Sequence, residues 1–260
     1  MEVEAEMGTG LRAGLKVLRL AFAAGLLWRR WRGPAARGLV ASYLVPTLVS
    51  NHGWHGPVAV KFRPREGNEV WLTIDDGPLA TCTPGMLDLL EEYGARASFF
   101  CVGRRVSACR WLARRMVEAG HKVENHTYSH AAGAWWASPP WVVEREISNG
   151  QHAIVTATGV RPRFFRSPVG MNGPWVHGAA AREGLMVVGW SAGGGDGCPE
   201  GASARTAERI VREAEPGSIL VVHEGLGARR RLGVLRRVLE GLSEKGLRCV
   251  IPEVGQLVVL

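Results

Sequence analysis

The chain has 260 residues, enough for one α/β domain whose core needs no disulfide support. Its 46% hydrophobic and 22% charged content excludes a largely disordered protein. The formal net charge is +8, and residues 1–66 contribute +6 of it through ten basic and four acidic side chains. This asymmetry argues against a nucleic-acid groove spread over the fold and favours an anionic membrane surface or acidic partner at one end of the chain.

Residues 11–28 are predicted to form an amphipathic helix, because basic side chains recur at helical spacing opposite a leucine-rich face. The uninterrupted apolar stretch, residues 20–28, is far shorter than the roughly 20 residues of a spanning helix. The acidic N-terminus and the pair Arg29-Arg30 do not fit a secretory signal peptide. We expect residues 11–32 either to lie on an anionic membrane surface or to pack on the domain.

The cysteines are predicted to be reduced thiols, since they are five in number and none forms a C-x-x-C pair: Cys82, Cys101, Cys109, Cys198 and Cys249. Reduced thiols and the poor signal-peptide match favour the bacterial cytoplasm or the periphery of the inner membrane over secretion or the periplasm.

From residue 67 onward, strands and helices alternate. Residues 70–74 and 97–102 are predicted strands, and the helix between them begins at Thr83-Pro84, with Thr83 as its N-cap, and ends at Gly94. Later strands are predicted at 163–165, 185–190, 218–222 and 247–251. This order predicts a parallel sheet or barrel covered by helices, with ligands at the C-terminal ends of the strands.

Polar side chains follow two of these strands closely. Asp75 and Asp76, in T-I-D-D-G-P, need a cation or an arginine to compensate them, unless they form only an acidic turn. His126 and His130, in N-H-T-Y-S-H, are spaced to face the same side of a helical turn, which suits one metal ion. With Asp76 they make a two-histidine, one-carboxylate set that suits Zn²⁺ and equally Fe²⁺, Co²⁺ or Mn²⁺.

Three further polar residues follow strands later in the chain. His223, in L-V-V-H-E, is placed for acid or base catalysis, with a core histidine as the alternative. Arg166, in F-F-R-S-P-V-G, is suited to pair with a carboxylate, and Asp196 lies on a glycine-rich loop where it can orient His223.

In the last helix, Arg229–Arg231 and Arg236–Arg237 are predicted to form a solvated basic face, with binding of a phosphate group or an anionic lipid as the alternative.

In their order, these motifs resemble the NodB-homology polysaccharide deacetylases, carbohydrate esterase family four. The resemblance covers roughly residues 67–256 and rests on T-I-D-D-G-P, N-H-T-Y-S-H, F-F-R-S-P-V-G, the loop W-S-A-G-G-G-D, and L-V-V-H. It implies an α/β fold, a distorted (β/α)7 barrel of the glycoside hydrolase-deacetylase type. Residues 1–66 would be an N-terminal helical extension and residues 257–260 a short tail.

The resemblance also implies metal-dependent removal of an N-acyl group, in the first place acetyl, from an amino sugar of a polysaccharide, oligosaccharide or glycolipid. It implies one divalent metal ion, zinc before cobalt, manganese, iron or nickel, held by Asp76, His126 and His130. The remaining roles it implies are a general base, Asp75, held by Arg166; a general acid, His223, held by Asp196; and an oxyanion donor at Val169 and Gly170. Trp135, Trp136 and Trp190 are candidate substrate contacts, because exposed indoles near the site can stack on sugar rings or meet lipid. The alternative is that at least one of them packs its loop onto the domain.

Three positions depart from the family pattern. Val169 stands where the third motif usually has a tyrosine, so the ring's contact to substrate is lost while the backbone N–H is kept as oxyanion donor. Gly193 and Gly197 stand where the fourth motif usually has an aspartate and a tryptophan. These glycines predict a roomier loop and extend the candidate acyl groups from acetyl to formyl or longer chains.

Other functions stay open. A deformylase or deacetylase of a polyprenyl-phosphate-linked amino sugar at the inner membrane keeps the chemistry and changes the substrate. A non-catalytic sugar- or lipid-binding relative is disfavoured, because binding alone does not require both a base and an acid. An iron oxygenase is disfavoured because Asp75, a second carboxylate with an arginine partner, stands beside the metal aspartate.

Overall fold

The computed structural model describes residues 47–193, 195–197 and 201–260. The predicted helix at 11–28 lies outside these residues, as does Cys198. Within the described part, no helix is both long enough and apolar enough to cross a membrane.

Strands and helices alternate along the described chain. The strands are β1 (Ala59–Phe62), β2 (Glu69–Asp75), β3 (Ala97–Cys101), β4 (Lys122–Asn125), β5 (Phe164–Phe165), β6 (Met186–Val187), β7 (Ala192–Gly193), β8 (Ile219–His223), β9 (Arg248–Cys249) and β10 (Leu257–Val259). The helices are α1 (Thr83–Glu92), α2 (Gly103–Ala108), α3 (Arg110–Glu118), α4 (Ala132–Trp135), α5 (Pro140–Thr158), α6 (Val176–Arg182), α7 (Ala204–Glu213) and α8 (Ala228–Glu244).

Seven of the strands form a curled parallel sheet in the order β6-β5-β4-β3-β2-β8-β7, and β9 pairs with β2 beside this path. The predicted barrel-like α/β fold is therefore confirmed. Its core lies in two layers, one between the sheet and the helices packed outside it and one inside the curl. Because all these strands are parallel, their C-terminal ends meet at one rim, where ligands bind in folds of this kind.

Strand β1 lies along the open side of the curled sheet. It pairs antiparallel with β10, and bridges connect Ala59 to Val188, just after β6, and Lys61 to Ser218, just before β8. Ala59 and Phe62 are buried in the inner core. The predicted domain bounds at 67 and 256 stay predictions, but β1 and β10, which lie outside them, are integral to the packed body.

Strand β2 shows how sequence alternation separates the core from the site. Successive side chains of a strand face opposite sides of the sheet. Val70, Leu72 and Ile74 accordingly pack in the outer core. Trp71 packs in the inner core, and Thr73 and Asp75 bond the buried Arg166 guanidinium on that inner side. The polar side chains in the C-terminal half of β2 therefore lie on the inner face of the sheet, and the last of them, Asp75, lies at the rim.

Candidate active site

The register of the sheet brings the proposed base and acid to one level of the rim. Asp75 is the last residue of β2 and pairs in register with His223, the last residue of β8. Their side chains face each other, with 3.9 Å between Asp75 Oδ2 and His223 Nε2. Two separate sequence motifs therefore meet because two parallel strands end together.

Asp75 is held by a fully buried arginine. Arg166 follows β5, and its Nη1 donates to Asp75 Oδ1 and to Thr73 Oγ1, both at 2.7 Å. Its Nη2 donates to the carbonyl of Gly189 at 2.7 Å, and its guanidinium stacks 4.2 Å from the centre of the Phe100 ring. Arg166 is 0% exposed, so this ion pair is shielded from solvent and fixes the direction of the Asp75 carboxylate.

Asp76, His126 and His130 converge beside this pair. One oxygen or nitrogen from each lies within 4.8 Å of the others. Asp76 Oδ1 lies 3.1 Å from His130 Nε2 and 3.5 Å from His126 Nε2. The predicted helical turn is wrong, because residues 126–130 form a loop after β4 in which Thr127 and His130 take positive φ angles of 64° and 54°.

Helix α5 shapes this histidine loop. Asn125, at the end of β4, donates to the carbonyl of Ile147 and accepts the Thr127 N–H at 2.9 Å. Glu146 accepts the N–H of Ser129 at 2.8 Å. A Cβ on Gly150 would lie 2.7 Å from Asn125 Oδ1, so only a glycine lets the helix approach this closely.

The three side chains fit a divalent cation. Asp76 Oδ1 is buried and accepts no hydrogen bond from the described residues, as expected of an oxygen whose partner is an ion. His126 Nδ1 lies 2.7 Å from the carbonyl of Arg166, which only accepts, so Nδ1 carries the proton and Nε2 presents a lone pair. Burial lowers the pKa of His130 to about 4, so this imidazole is neutral as well.

His223 is held by Asp196 through two contacts. Asp196 Oδ1 pairs with His223 Nδ1 and Asp196 Oδ2 accepts the His223 backbone N–H, both at 2.9 Å. Burial lowers the pKa of His223, but the hydrogen bond and charge of Asp196 and the charge of Asp75 outweigh burial and raise it to about 9. The imidazole is therefore cationic at neutral pH, with its Nε2 proton facing the rim.

The loop after β5 carries the predicted oxyanion donor. Val169 has a φ of 51°, unusual for a β-branched residue, and its side chain is 47% exposed. Among the described residues, no backbone acceptor takes the Val169 N–H. This N–H is therefore available to a ligand, and the strained backbone is located where a catalytic function is expected.

A segment outside the predicted domain holds this loop. Ser50 donates to the carbonyl of Val169 at 2.7 Å, and the N–H of Asn51 donates to the carbonyl of Gly170 at 3.0 Å. Asn51 Nδ2 also donates to the carbonyl of Trp190. Sequence reasoning missed Ser50 and Asn51, because they belong to no recognisable motif.

The tryptophans predicted to contact substrate lie in different environments. Trp135 is 3% exposed, packs on Phe165 and donates to the carbonyl of Met171. Of the two alternatives predicted for Trp135, packing of its loop onto the domain is therefore the one that the structure supports, and its indole is not open to substrate. Trp136 and Trp190 are half-buried, and the Trp190 ring lies against Gly170.

The two glycines of the fourth motif differ in the space beside them. A Cβ on Gly193 would lie 2.8 Å from Val221 Cγ1 and 3.1 Å from the Trp190 ring, so this position has no spare room. A Cβ on Gly197 would lie 3.5 Å from His223 Nε2, an ordinary contact. The prediction of a roomier loop is therefore wrong at Gly193. At Gly197 there is room for a side chain, and because glycine has none, the His223 ring is not covered from this position.

Two buried charged residues near the site were missed or misjudged from sequence. Glu224 is 1% exposed, accepts the Thr83 hydroxyl at 2.5 Å, and has a pKa that burial raises to about 7. The prediction that Thr83 is the N-cap of α1 is wrong, because Cys82 occupies that position and Thr83 is the first helical residue. Arg231, predicted on a solvated face, is 2% exposed and points toward Asp196.

Comparison with known proteins agrees with this geometry. Residues 62–188 match the family model described as polysaccharide deacetylase. The chain is 36% identical over 157 residues to a chitooligosaccharide deacetylase of Bradyrhizobium sp. (strain ANU 289), covering 60% of this chain and 70% of that relative. It is 30% identical over 190 residues to a peptidoglycan-N-acetylglucosamine deacetylase of Bacillus cereus, covering 72% and 87%.

Among solved structures, a family 4 carbohydrate esterase from Streptomyces lividans in complex with acetate is similar, with a TM-score of 0.64 and 30% identity. The match covers 74% of this chain and 97% of that chain. Sequence and fold therefore agree with the resemblance seen in the motifs. The chain belongs to the polysaccharide deacetylase family, carbohydrate esterase family four.

Proposed function

We propose that this protein hydrolyses the N-acetyl group of an amino sugar in a chitin- or peptidoglycan-type glycan, releasing acetate and a free amine. The proposal rests on one observation: a candidate base and a candidate acid face each other beside three candidate metal ligands. Asp75 is fixed by Arg166, His223 is fixed by Asp196, and the two face each other at 3.9 Å. The names of the related deacetylases support the glycan class.

The cation site is assigned to Asp76, His126 and His130, whose lone pairs converge. A divalent ion bound there supplies Lewis acidity to the amide carbonyl and lowers the pKa of water. We propose zinc in the first place, because neutral imidazoles and a carboxylate with open positions suit it, with cobalt, manganese, iron and nickel as alternatives.

The protein's own groups then move two protons. Asp75 accepts a proton from the water that attacks the amide carbon, and Arg166 keeps the carboxylate turned toward it. The Val169 N–H donates a hydrogen bond to the oxygen that gains charge. His223, cationic because of Asp196, donates its Nε2 proton to the departing amine, so that the C–N bond breaks without releasing an unprotonated amide anion.

The substrate is tested with a panel of acetylated chitooligosaccharides, peptidoglycan fragments and a polyprenyl-phosphate-linked amino sugar, scored for acetate and formate. We expect acetate from the glycan substrates and none after Asp75→Asn. Asp88→Asn, an exposed aspartate paired with Arg115, is the matched control. Formate from the lipid-linked sugar alone would favour the deformylase alternative, and no product with metal bound would favour a binding protein.

The metal site is tested by elemental analysis. The wild-type chain is expected to retain about one divalent ion, and His126→Ala is expected to lose it. His152→Ala, on the exposed face of α5, is the control. An unchanged metal content in His126→Ala would contradict the assignment of this histidine.

We also propose that residues 11–32 bring the enzyme to an anionic membrane surface, at the inner membrane of a bacterium. Support comes from their basic, amphipathic sequence and from Leu48 and Val49, which are 47% and 46% exposed in the segment that reaches the rim. Sedimentation with phosphatidylglycerol vesicles is expected, and reversal of Arg29, Arg30 and Arg32 to glutamate should abolish it. Equal binding to neutral vesicles, or none, would contradict this.

A further inference from the structure

Arg231 is a buried cation, and two of its nitrogens donate no hydrogen bond to any residue that the structure describes. It is the fourth residue of α8, with only 2% of its side chain exposed. Its Nε and Nη1 are buried and have no hydrogen-bond partner within residues 47–193, 195–197 and 201–260. Burying a charged guanidinium with few hydrogen bonds is costly, so its position in the interior suggests a role other than stability.

The charge nearest to Arg231 is the carboxylate that holds the proposed general acid. Arg231 Nη1 lies 3.9 Å from Asp196 Oδ2, and no other carboxylate of the described residues lies within 4.0 Å of this guanidinium. Asp196 is itself 1% exposed and uses both oxygens on His223. The residues therefore form a buried row, Arg231–Asp196–His223–Asp75–Arg166, with cations at both ends.

We propose that Arg231 is a positioning residue for catalysis, a buried cation that keeps the Asp196 carboxylate turned toward His223. Because it is buried, it does not touch substrate and acts only through Asp196. This assignment rests on the proposed role of His223 as general acid. Nothing in the sequence distinguishes Arg231 from its neighbours Arg229 and Arg230, which are exposed.

The charge of Arg231 has a definite effect on the proton of His223. The charged groups facing the His223–Asp196 pair are Asp75 at the end of β2, Asp76 directly after it, and Arg231 from α8. Glu224 directly follows β8. The carboxylates favour the protonated imidazole, whereas Arg231 opposes it. Removal of Arg231 should therefore raise the pH at which His223 loses its proton, while Asp196, without its cation, holds the ring less firmly.

The test compares Arg231→Met with the wild type by NMR titration of labelled histidines, assigning His223 through a His223→Gln spectrum. In Arg231→Met the His223 titration is expected to move upward by about one pH unit. On an active substrate, kcat should fall about tenfold while KM stays within about twofold. The melting temperature should be unchanged or higher, because methionine replaces an unpartnered buried charge.

Three comparisons make the result specific. Arg237→Met, which removes an exposed charge from the same helix, should leave both the titration and kcat unchanged. Arg231→Lys, which keeps the charge, should show a smaller shift and serves if the methionine variant does not fold. In an Asp196→Asn background, Arg231→Met should cause no further loss of kcat.

A wild-type titration and wild-type kcat in Arg231→Met would overturn the proposal. So would a loss of stability without any change in titration, which would make Arg231 purely structural. The NMR titration needs no substrate. Failure of the proposed deacetylation would therefore leave the effect of Arg231 on His223 measurable and separately decided.

Discussion

Arg166→Met should destabilise the protein more than any surface change, because it leaves a buried carboxylate without its cation. The guanidinium donates at 2.7 Å to Asp75, Thr73 and the carbonyl of Gly189, and it is 0% exposed. Breaking a buried ion pair by removing one partner costs about 3–5 kcal/mol. For a domain of this size, that corresponds to a fall in melting temperature of roughly 10 °C.

Urea unfolding and thermal melting measure this effect, and the double variant Arg166→Met/Asp75→Asn identifies its cause. The second change removes the stranded charge, so the double variant should be more stable than Arg166→Met alone, although both lack activity. Arg163→Met, which breaks only the exposed pair with Glu253, is the control. A loss below about 1 kcal/mol in Arg166→Met, or no recovery in the double variant, would refute this reasoning.

Three further predictions concern the pH profile of catalysis, the length of the acyl group that is hydrolysed, and the pH dependence of stability. Asp196→Asn removes the main group that raises the pKa of His223 to about 9, so the alkaline limb of kcat/KM should move to lower pH; an unmoved limb would exclude His223 as its origin. Gly197→Trp should cover the His223 ring and reduce hydrolysis of long N-acyl groups more than of acetyl, and equal losses would show that the open space is unused. Burial raises the pKa of Glu124 to about 7, above its usual 4.5, so the contribution of this carboxyl to the free energy of unfolding should fall as pH rises through this interval. Glu124→Gln should therefore make the difference in the free energy of unfolding, pH 8 minus pH 5, more positive than in the wild type, as measured by urea unfolding, and an unchanged difference would contradict the assignment.

The motifs predicted which residues meet at the rim, and for several of them the sequence also shows the hydrophobic strand that they follow. Asp75 and His223 are examples, since the strands before them alternate between outer and inner core. His126 and His130 were correctly placed near Asp76, but the reason was wrong, because a loop with positive φ angles brings them together instead of a helical turn.

Residues whose environment depends on distant contacts were not predictable. Arg231 has the local pattern of a solvated helix face, yet the packing of α8 buries it behind Asp196. Trp135 has the composition of an exposed loop, but Phe165 and the carbonyl of Met171 fix it inside. Side-chain burial of this kind is set by tertiary packing, which spacing along the chain does not encode.

The hydrogen bonds from Ser50 and Asn51 to the carbonyls of Val169 and Gly170 attach the chain to the catalytic rim at this point. They therefore limit how far the residues before Ser50 can lie from the rim. An extended chain rises at most about 3.6 Å per residue, so residue 32 lies at most about 65 Å from Ser50. The proposed binding of residues 11–32 to a membrane would therefore confine hydrolysis to substrates within that distance of the membrane. Inserting residues between positions 33 and 46 would increase this maximum distance without altering any catalytic group.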